Sequence, residues 1–293
     1  MVDLNDILNA AILPLMEASG FEVLPTARVN HEPPATAEAN PAFNRYIFSL
    51  LTCFEEGIQP PKKRFSPDDL AALTLKDYLA RYRARGQELD PGYDASRALL
   101  LVIDQGEEII NIAPTERDQK QAFFNQLGET LRDRGIWLLF SLREDYVARL
   151  DSYIKPIPTG FATRYRLRLL QPESALEAIQ KPPQQQNVTF TDEAAKELIN
   201  DLRQMQVQQP DGSSKEEPGL YVEPVQLQVV CHRLWGSLNR ADNEIGLDDL
   251  KGIGNVNNAL ADYYKLQVAV VSAKTGVRER AIREWFDRKL ITK

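Results

Sequence analysis

The sequence predicts an α/β fold built on a parallel sheet and followed by a mainly helical region. Three observations carry this. Ala98–Ile103 (ALLLVI) is continuously apolar and breaks off into Asp104-Gln105-Gly106-Glu107-Glu108. Ile136–Leu142 (IWLLFSL) repeats the pattern and runs into Arg143-Glu144-Asp145, and the stretch between them, from Thr115 to Gly135, reads as a single capped helix. A strand apolar on both faces belongs in a sheet covered on both faces, as parallel sheets are. Strand, helix, strand is then a βαβ unit, and its right-handed crossover puts both charged strand ends on the same edge of the sheet.

The other elements follow in chain order. Leu4–Ala18 carries apolar residues at helical spacing (Leu4, Ile7, Leu8, Ala11, Ile12, Leu15) and stops at Gly20. Phe21–Val29 (FEVLPTARV) predicts a strand that Pro25 confines to an edge. Residues 30–42, rich in Pro, Ala and Asn, predict a loop, and Phe43–Phe54 (FNRYIFSLLTCF) a largely buried helix. Ser66-Pro67-Asp68-Asp69 has the residues of a helix start, with Ser as cap and Pro in the first turn. Thr74–Arg85 predicts a second helix stopped at Gly86. Arg164–Leu170 (RYRLRLL) alternates, with Arg164, Arg166 and Arg168 on one face and Tyr165, Leu167 and Leu169 on the other, which predicts a third strand. Beyond Pro172 the pattern turns helical: Glu173–Gln180, Thr191–Met205, Pro224–Leu238, Asn257–Ser272 and Val277–Leu290, with a polar loop over Val207–Gly219.

Composition narrows the function classes. In 293 residues, 35 Lys and Arg stand against 42 Asp and Glu, a net charge of −7. A protein that grips nucleic acid by bulk positive charge needs the opposite balance. With 43% hydrophobic and 26% charged residues the chain is neither disordered nor a coiled-coil rod. Its two cysteines, Cys53 and Cys231, are far apart, and its histidines, His31 and His232, are too few for a zinc or His-rich site. The N-terminus has no basic region and no cleavage site, and no apolar run approaches the ~20 residues that span a bilayer, so a cytoplasmic protein away from membranes is expected.

The chemistry concentrates at the two strand tips. In LLLVIDQGEE an apolar strand meets an acid, the Walker B pattern, in which a carboxylate at the tip of a parallel strand holds a magnesium ion and a following Glu orients or deprotonates water. Strand ends are also wet, and acids there cap the next helix in proteins with no such chemistry. Arg143, at the next tip, has the planar fork that suits a γ-phosphate; an ion pair with Glu144, Asp145 or Asp104 is the simpler reading. Pro224 opens a helix, where its missing N–H costs nothing. The C-terminal basic residues Lys274, Arg278, Arg280, Arg283, Arg288 and Lys289 are interleaved with Glu279, Glu284 and Asp287, the pattern of a solvated helix face. G-x-x-x-x-G-K-[ST] occurs nowhere in the sequence.

Four blocks in this order, LLLVIDQGEEII, WLLFSLREDYVARLD, YRLRLLQPESALEAIQKP and YVEPVQLQVVCHRLW, resemble the STAND class of P-loop NTPases, in particular its bacterial novel STAND branch. The last block, YYKLQVAVVSAKTGVRERAIREWFDRKLIT, resembles the start of the winged helix that follows the NTPase core there. The resemblance implies a P-loop-NTPase-like parallel sheet lacking its first strand over residues 1–170, an all-α subdomain over 171–245, and the beginning of a winged helix over 246–293. It implies ATP or ADP with Mg2+ as cofactors, Asp104 as the magnesium ligand, Glu107 or Glu108 as the water-orienting acid, Arg143 as the sensor and Pro224 as the proline packed near the nucleotide.

Two departures matter. Gly106 stands where the family has Phe, and Asp3-Leu4-Asn5-Asp6 stands where its glycine-rich loop and Gly-Lys-Ser/Thr precede the first helix. The missing strand is expected to lie centrally, between the strands tipped by Asp104 and Arg143. Without the backbone nest and its Lys a triphosphate loses its main cradle. The expectation is a truncated or degenerate STAND-type module of a signalling switch, regulatory, hydrolysing ATP weakly or not at all alone. The alternatives are an active ATPase whose phosphate loop comes from an upstream segment or another chain, and a DNA-binding regulator working through the C-terminal helices. Protein partners or self-association through the exposed sheet edge are expected.

Overall fold

A computed structural model of the chain describes residues 7–34, 43–111, 115–208, 213–238, 243–253 and 256–289. Asp3, Leu4 and Asp6, most of the 30–42 loop, and Leu290 lie outside them. The chain divides into two units, one running through Tyr165 and the other starting at Arg166.

The first unit is organised around Leu99–Ile103 (β2), whose five side chains are all buried. Glu22–Val23 (β1) and Ile136–Phe140 (β3) flank it, both parallel to it, in the order β1-β2-β3. Pro25 shapes the β1 side as its sequence predicts. Leu24 N–H donates to Leu100 O at 3.0 Å, but the next rung is made by Ala27, not Thr26, donating to Val102 O at 2.8 Å. One extra residue is therefore inserted at Pro25-Thr26, a bulge on an edge strand.

On the other side, β2 and β3 pair directly in register from Leu99↔Ile136 to Ile103↔Phe140. This corrects the expected central position of a missing strand: nothing fits between two strands joined by a continuous ladder. β3 is instead the outer strand of this sheet. Leu99 N–H bonds Gly135 O, and Ser141 N–H bonds Ile103 O. By the alternation of a parallel ladder, Trp137 and Leu139 then point their backbone groups at β2, and Leu138 and Phe140 point theirs outward. No strand pairs with that outer edge among the described residues.

The two sheet faces are covered unequally. Leu99, Leu101 and Ile103 join a large core with Arg45–Glu56 (α2), Leu75–Leu89 (α4) and Arg117–Thr130 (α6), contributed by residues such as Leu50, Phe54, Tyr78 and Phe124. Among the described residues Leu100 and Val102 join a small cluster with Leu8 and Leu13, from the π-helical turn Leu8–Ile12 and the helix Leu13–Ala18 (α1). The π-turn shifts the helical phase, so Ile12 and Leu15, expected on the apolar face, are exposed. Trp137, on the same sheet face, is 55% exposed.

Caps follow the sequence closely. Asn44 caps α2, and Ser66 forms a capping box with Asp69 at Pro67–Ala71 (α3). α4 departs from expectation by running through Gly86 to Leu89. The glycine there makes room for Tyr93, whose ring would lie 2.8 Å from a Cβ at that position. A buried network pins α2 to α4: Glu55 accepts from Arg85 at 2.6 and 3.0 Å and from Tyr78 at 2.8 Å. Phe65 N–H donates the fourth bond to Glu55, at 2.8 Å, so the pair holds its geometry; removal of either partner would strand a buried charge.

The second unit differs most from its sequence reading. Arg164–Leu170, where the chain passes from the first unit into the second, forms no strand, and of these residues Leu170 makes a bridge, to Val222. The expected third strand is absent because alternation favours a strand only where a neighbour offers a ladder. Tyr165, 90% exposed, has no core to enter. The region expected to be all-α also contains sheet. After Val147–Leu150 (α7) in the first unit, Asp192–Leu202 (α9), between Pro172–Gln184 (α8) and Pro224–Ser237 (α10), ends early and Gln204–Gln208 (β5) pairs antiparallel with Ser214–Pro218 (β6). The expected polar loop is thus a hairpin arm. Thr189–Phe190 (β4) pairs with Glu244–Ile245 (β7). After Leu247–Ile253 (α11), Val256–Thr275 (α12) and Glu279–Lys289 (α13) follow. In α13 Arg280 pairs with Glu284 and Arg283 with Glu279, as a solvated helix face would.

Candidate functional site

A parallel sheet delivers the ends of its strands to one edge, and here that edge collects polar residues. Past β1 the chain reaches Arg28, past β2 Asp104, and past β3 Ser141. The last rungs of the ladder fix the first two: Asp104 N–H donates to Ala27 O at 2.9 Å, and Ala27 bridges Ile103. Asp104 is buried at 2% exposure. Arg28 Nη2 donates to its Oδ2 at 2.8 Å, and Ser141 Oγ donates to its Oδ1 at 2.7 Å.

The turn beyond Asp104 is tight. Gln105 takes a positive φ of 54°, a left-handed conformation that costs a non-glycine residue about 1 kcal/mol. With its nitrogen assigned to the side facing Glu108, the orientation that satisfies both ends, its amide donates to Glu108 Oε1 at 3.0 Å and accepts from Arg28 Nη2 at 3.3 Å. Gly106 N–H donates to Ser141 O at 2.8 Å, and a Cβ on Gly106 would collide with the Phe140 ring. The departure at Gly106 thus has a packing reason: Phe140 of β3 fills the space.

Glu107–Asn111 (α5) opens on the two acids. Glu108 Oε2 is buried with no hydrogen-bond partner among the described residues. Burial pushes its carboxyl above the usual range; Arg28 opposes the shift, and Glu107 and Asp104 add to it. Glu107 Oε2 accepts from the Arg143 backbone N–H at 3.3 Å. The Arg143 guanidinium grips Asp145 through two bonds of 3.1 and 3.0 Å and lies over Tyr146, at 66% side-chain exposure. Its fork is therefore engaged by a carboxylate of its own loop.

The structure thus gathers Asp104 and Glu108 around Arg28, sets Glu107 beside Arg143, and carries Pro224 in the other unit, at the start of α10. Sequence reasoning missed Arg28, Gln105 and Ser141. The signal was available: Arg28 closes FEVLPTAR, the third segment whose parallel alignment brings its end to the same edge.

The fit of a magnesium ion can be judged from Asp104 itself. Each of its carboxylate oxygens accepts a hydrogen bond, one from a guanidinium and one from a hydroxyl. Among the described residues no three His, Cys, Asp or Glu converge as a metal group. Mg2+ keeps several waters and needs one or two open carboxylates, so with Arg28 in this position the residues do not fit it.

The remaining candidates are inert by environment. Burial raises the Cys53 thiol and pushes that of Cys231 up to about 11, so both are protonated at neutral pH. No helix among the described residues is long and apolar enough to cross a membrane.

Comparison with known proteins matches this arrangement to a family. No curated protein and no solved structure matches the chain. The family model described as Novel STAND NTPase 1 matches residues 7–286, nearly the whole chain, including the acid-tipped β2, the Arg143 strand and α10. The chain belongs to the Novel STAND NTPase 1 family.

Proposed function

We propose that this STAND-type NTPase module serves a regulatory role in a signalling switch and hydrolyses ATP weakly or not at all by itself. The observation that carries the reading is the closed state of Asp104, whose carboxylate is satisfied by Arg28 and Ser141. The lack of a G-x-x-x-x-G-K-[ST] run in these 293 residues supports it, since the backbone nest that cradles phosphates comes from that loop. In this reading Asp104 is the acid inherited for a magnesium ion, Glu107 or Glu108 the inherited water-orienting acid, Arg143 the inherited sensor, and Pro224 the proline of the nucleotide-facing helix. ATP or ADP with Mg2+ is the ligand class of the family.

A second reading has one observation in its favour. The outward backbone groups of Leu138 and Phe140 form a ready template for another strand. A preceding segment or another chain that adds a strand there could bring a phosphate loop to the same edge as Asp104. A phosphate-release assay on the chain alone separates the two. The first reading expects no release above a no-protein control at saturating Mg-ATP, and steady multiple turnover would overturn it.

A further inference from the structure

Arg28 is built into its position more firmly than a surface ion pair requires. Its backbone oxygen accepts from Ser49 Oγ at 2.8 Å, and its N–H donates to Cys53 Sγ at 3.5 Å. Both partners are buried on α2, Ser49 at 0% and Cys53 at 5% exposure. The bulge at Pro25-Thr26 sets the register that brings Ala27 level with Ile103, so Arg28 emerges beside Asp104. The guanidinium therefore faces a carboxylate that is 3% exposed, while its own side chain keeps 31% exposure. One end of the pair is locked in the sheet, and the other has a path to solvent.

A divalent cation and a guanidinium compete for the same thing. An ion coordinated at about 2.0–2.6 Å by an oxygen that already accepts a guanidinium N–H at 2.8 Å would stand against that fixed positive charge. Glu108 is joined to the same guanidinium through the Gln105 amide in the orientation that satisfies both.

We propose that Arg28 is the resident cation of this site: it fills the position at Asp104 that a divalent ion would need and so keeps the carboxylate from such an ion. The site is thereby closed to free Mg2+ without losing charge balance. The inference deepens the regulatory reading by naming the group that keeps the site shut.

The test is a titration of the full chain with Mn2+ alone, followed by the electron paramagnetic resonance signal of the free ion. Since no nucleotide is present, ATP hydrolysis by the chain would overturn the regulatory reading and leave this test standing. The parent chain should show no binding at micromolar Mn2+. Arg28→Gln should bind at least about ten-fold more tightly, because a positive charge next to the carboxylate is gone, and the double variant Arg28→Gln/Asp104→Asn should lose that gain. Micromolar binding by the parent, or a folded Arg28→Gln variant no tighter than the parent, would overturn the proposal. Should circular dichroism show Arg28→Gln to be unfolded, Arg28→Met replaces it, which keeps the apolar stem of the side chain and removes the charge. A gain in Mn2+ affinity then supports the proposal, and an affinity equal to the parent's overturns it.

Discussion

At the scale of single residues, Glu108 offers the clearest test of how the strand-tip cluster is held. Burial raises its folded-state pKa above the unfolded value, so the folded chain holds that proton more tightly. The resulting stability is fully present below the unfolded pKa and is lost as pH rises through the folded pKa. Glu108→Gln removes the ionisable group and keeps the shape. Its melting temperature should exceed the parent's at pH 7 to 8, with the difference closing towards pH 4; calorimetry across that range checks both parts. A variant less stable than the parent at neutral pH would show that the ionised carboxylate is needed where it sits. Asp104 was legible in the sequence because an apolar run that stops at an acid is a strong local signal. Arg28 was not, because its meaning lies in a neighbour 76 positions away.

At the scale of elements, the two strands of the βαβ unit were read correctly because their signals are local, continuous apolarity and a charged stop; the expected cap at Thr115 was not, since the helix starts at Arg117 with no side-chain cap and ends at Thr130. Nor was the order of strands. Nothing in Ile136–Leu142 says which neighbour it takes, and the direct β2–β3 ladder replaces the gap expected there. Arg164–Leu170 shows the converse, a strand pattern with no ladder to join. The hairpin of β5 and β6 was hidden because its strands, QMQVQ and SKEEP, are polar and pair mostly through backbone. The open side of β3 carries a consequence. Its outward backbone groups and the 55% exposed Trp137 should promote concentration-dependent association beyond the 33.2 kDa monomer, visible by light scattering after size exclusion. Trp137→Lys should weaken that association by placing charge at the edge, with little cost to a side chain already exposed. A clean monomer for the parent at every concentration would contradict it.

At the scale of the molecule, a family built to bind nucleotide is represented by a chain whose acidic strand tip is neutralised from within. The family match spans the sheet and its acidic strand tip. In the proposed reading that tip is not ready for a metal-bound nucleotide, since Arg28 and Ser141 already bond the Asp104 carboxylate. The most direct measurement is isothermal titration of the chain with ATP, once with Mg2+ and once with EDTA. The closed site predicts no resolvable heat from Mg-ATP at about 100 μM, a free energy weaker than roughly −5.5 kcal/mol, and no difference between the two titrations. Micromolar binding that depends on Mg2+ would contradict it.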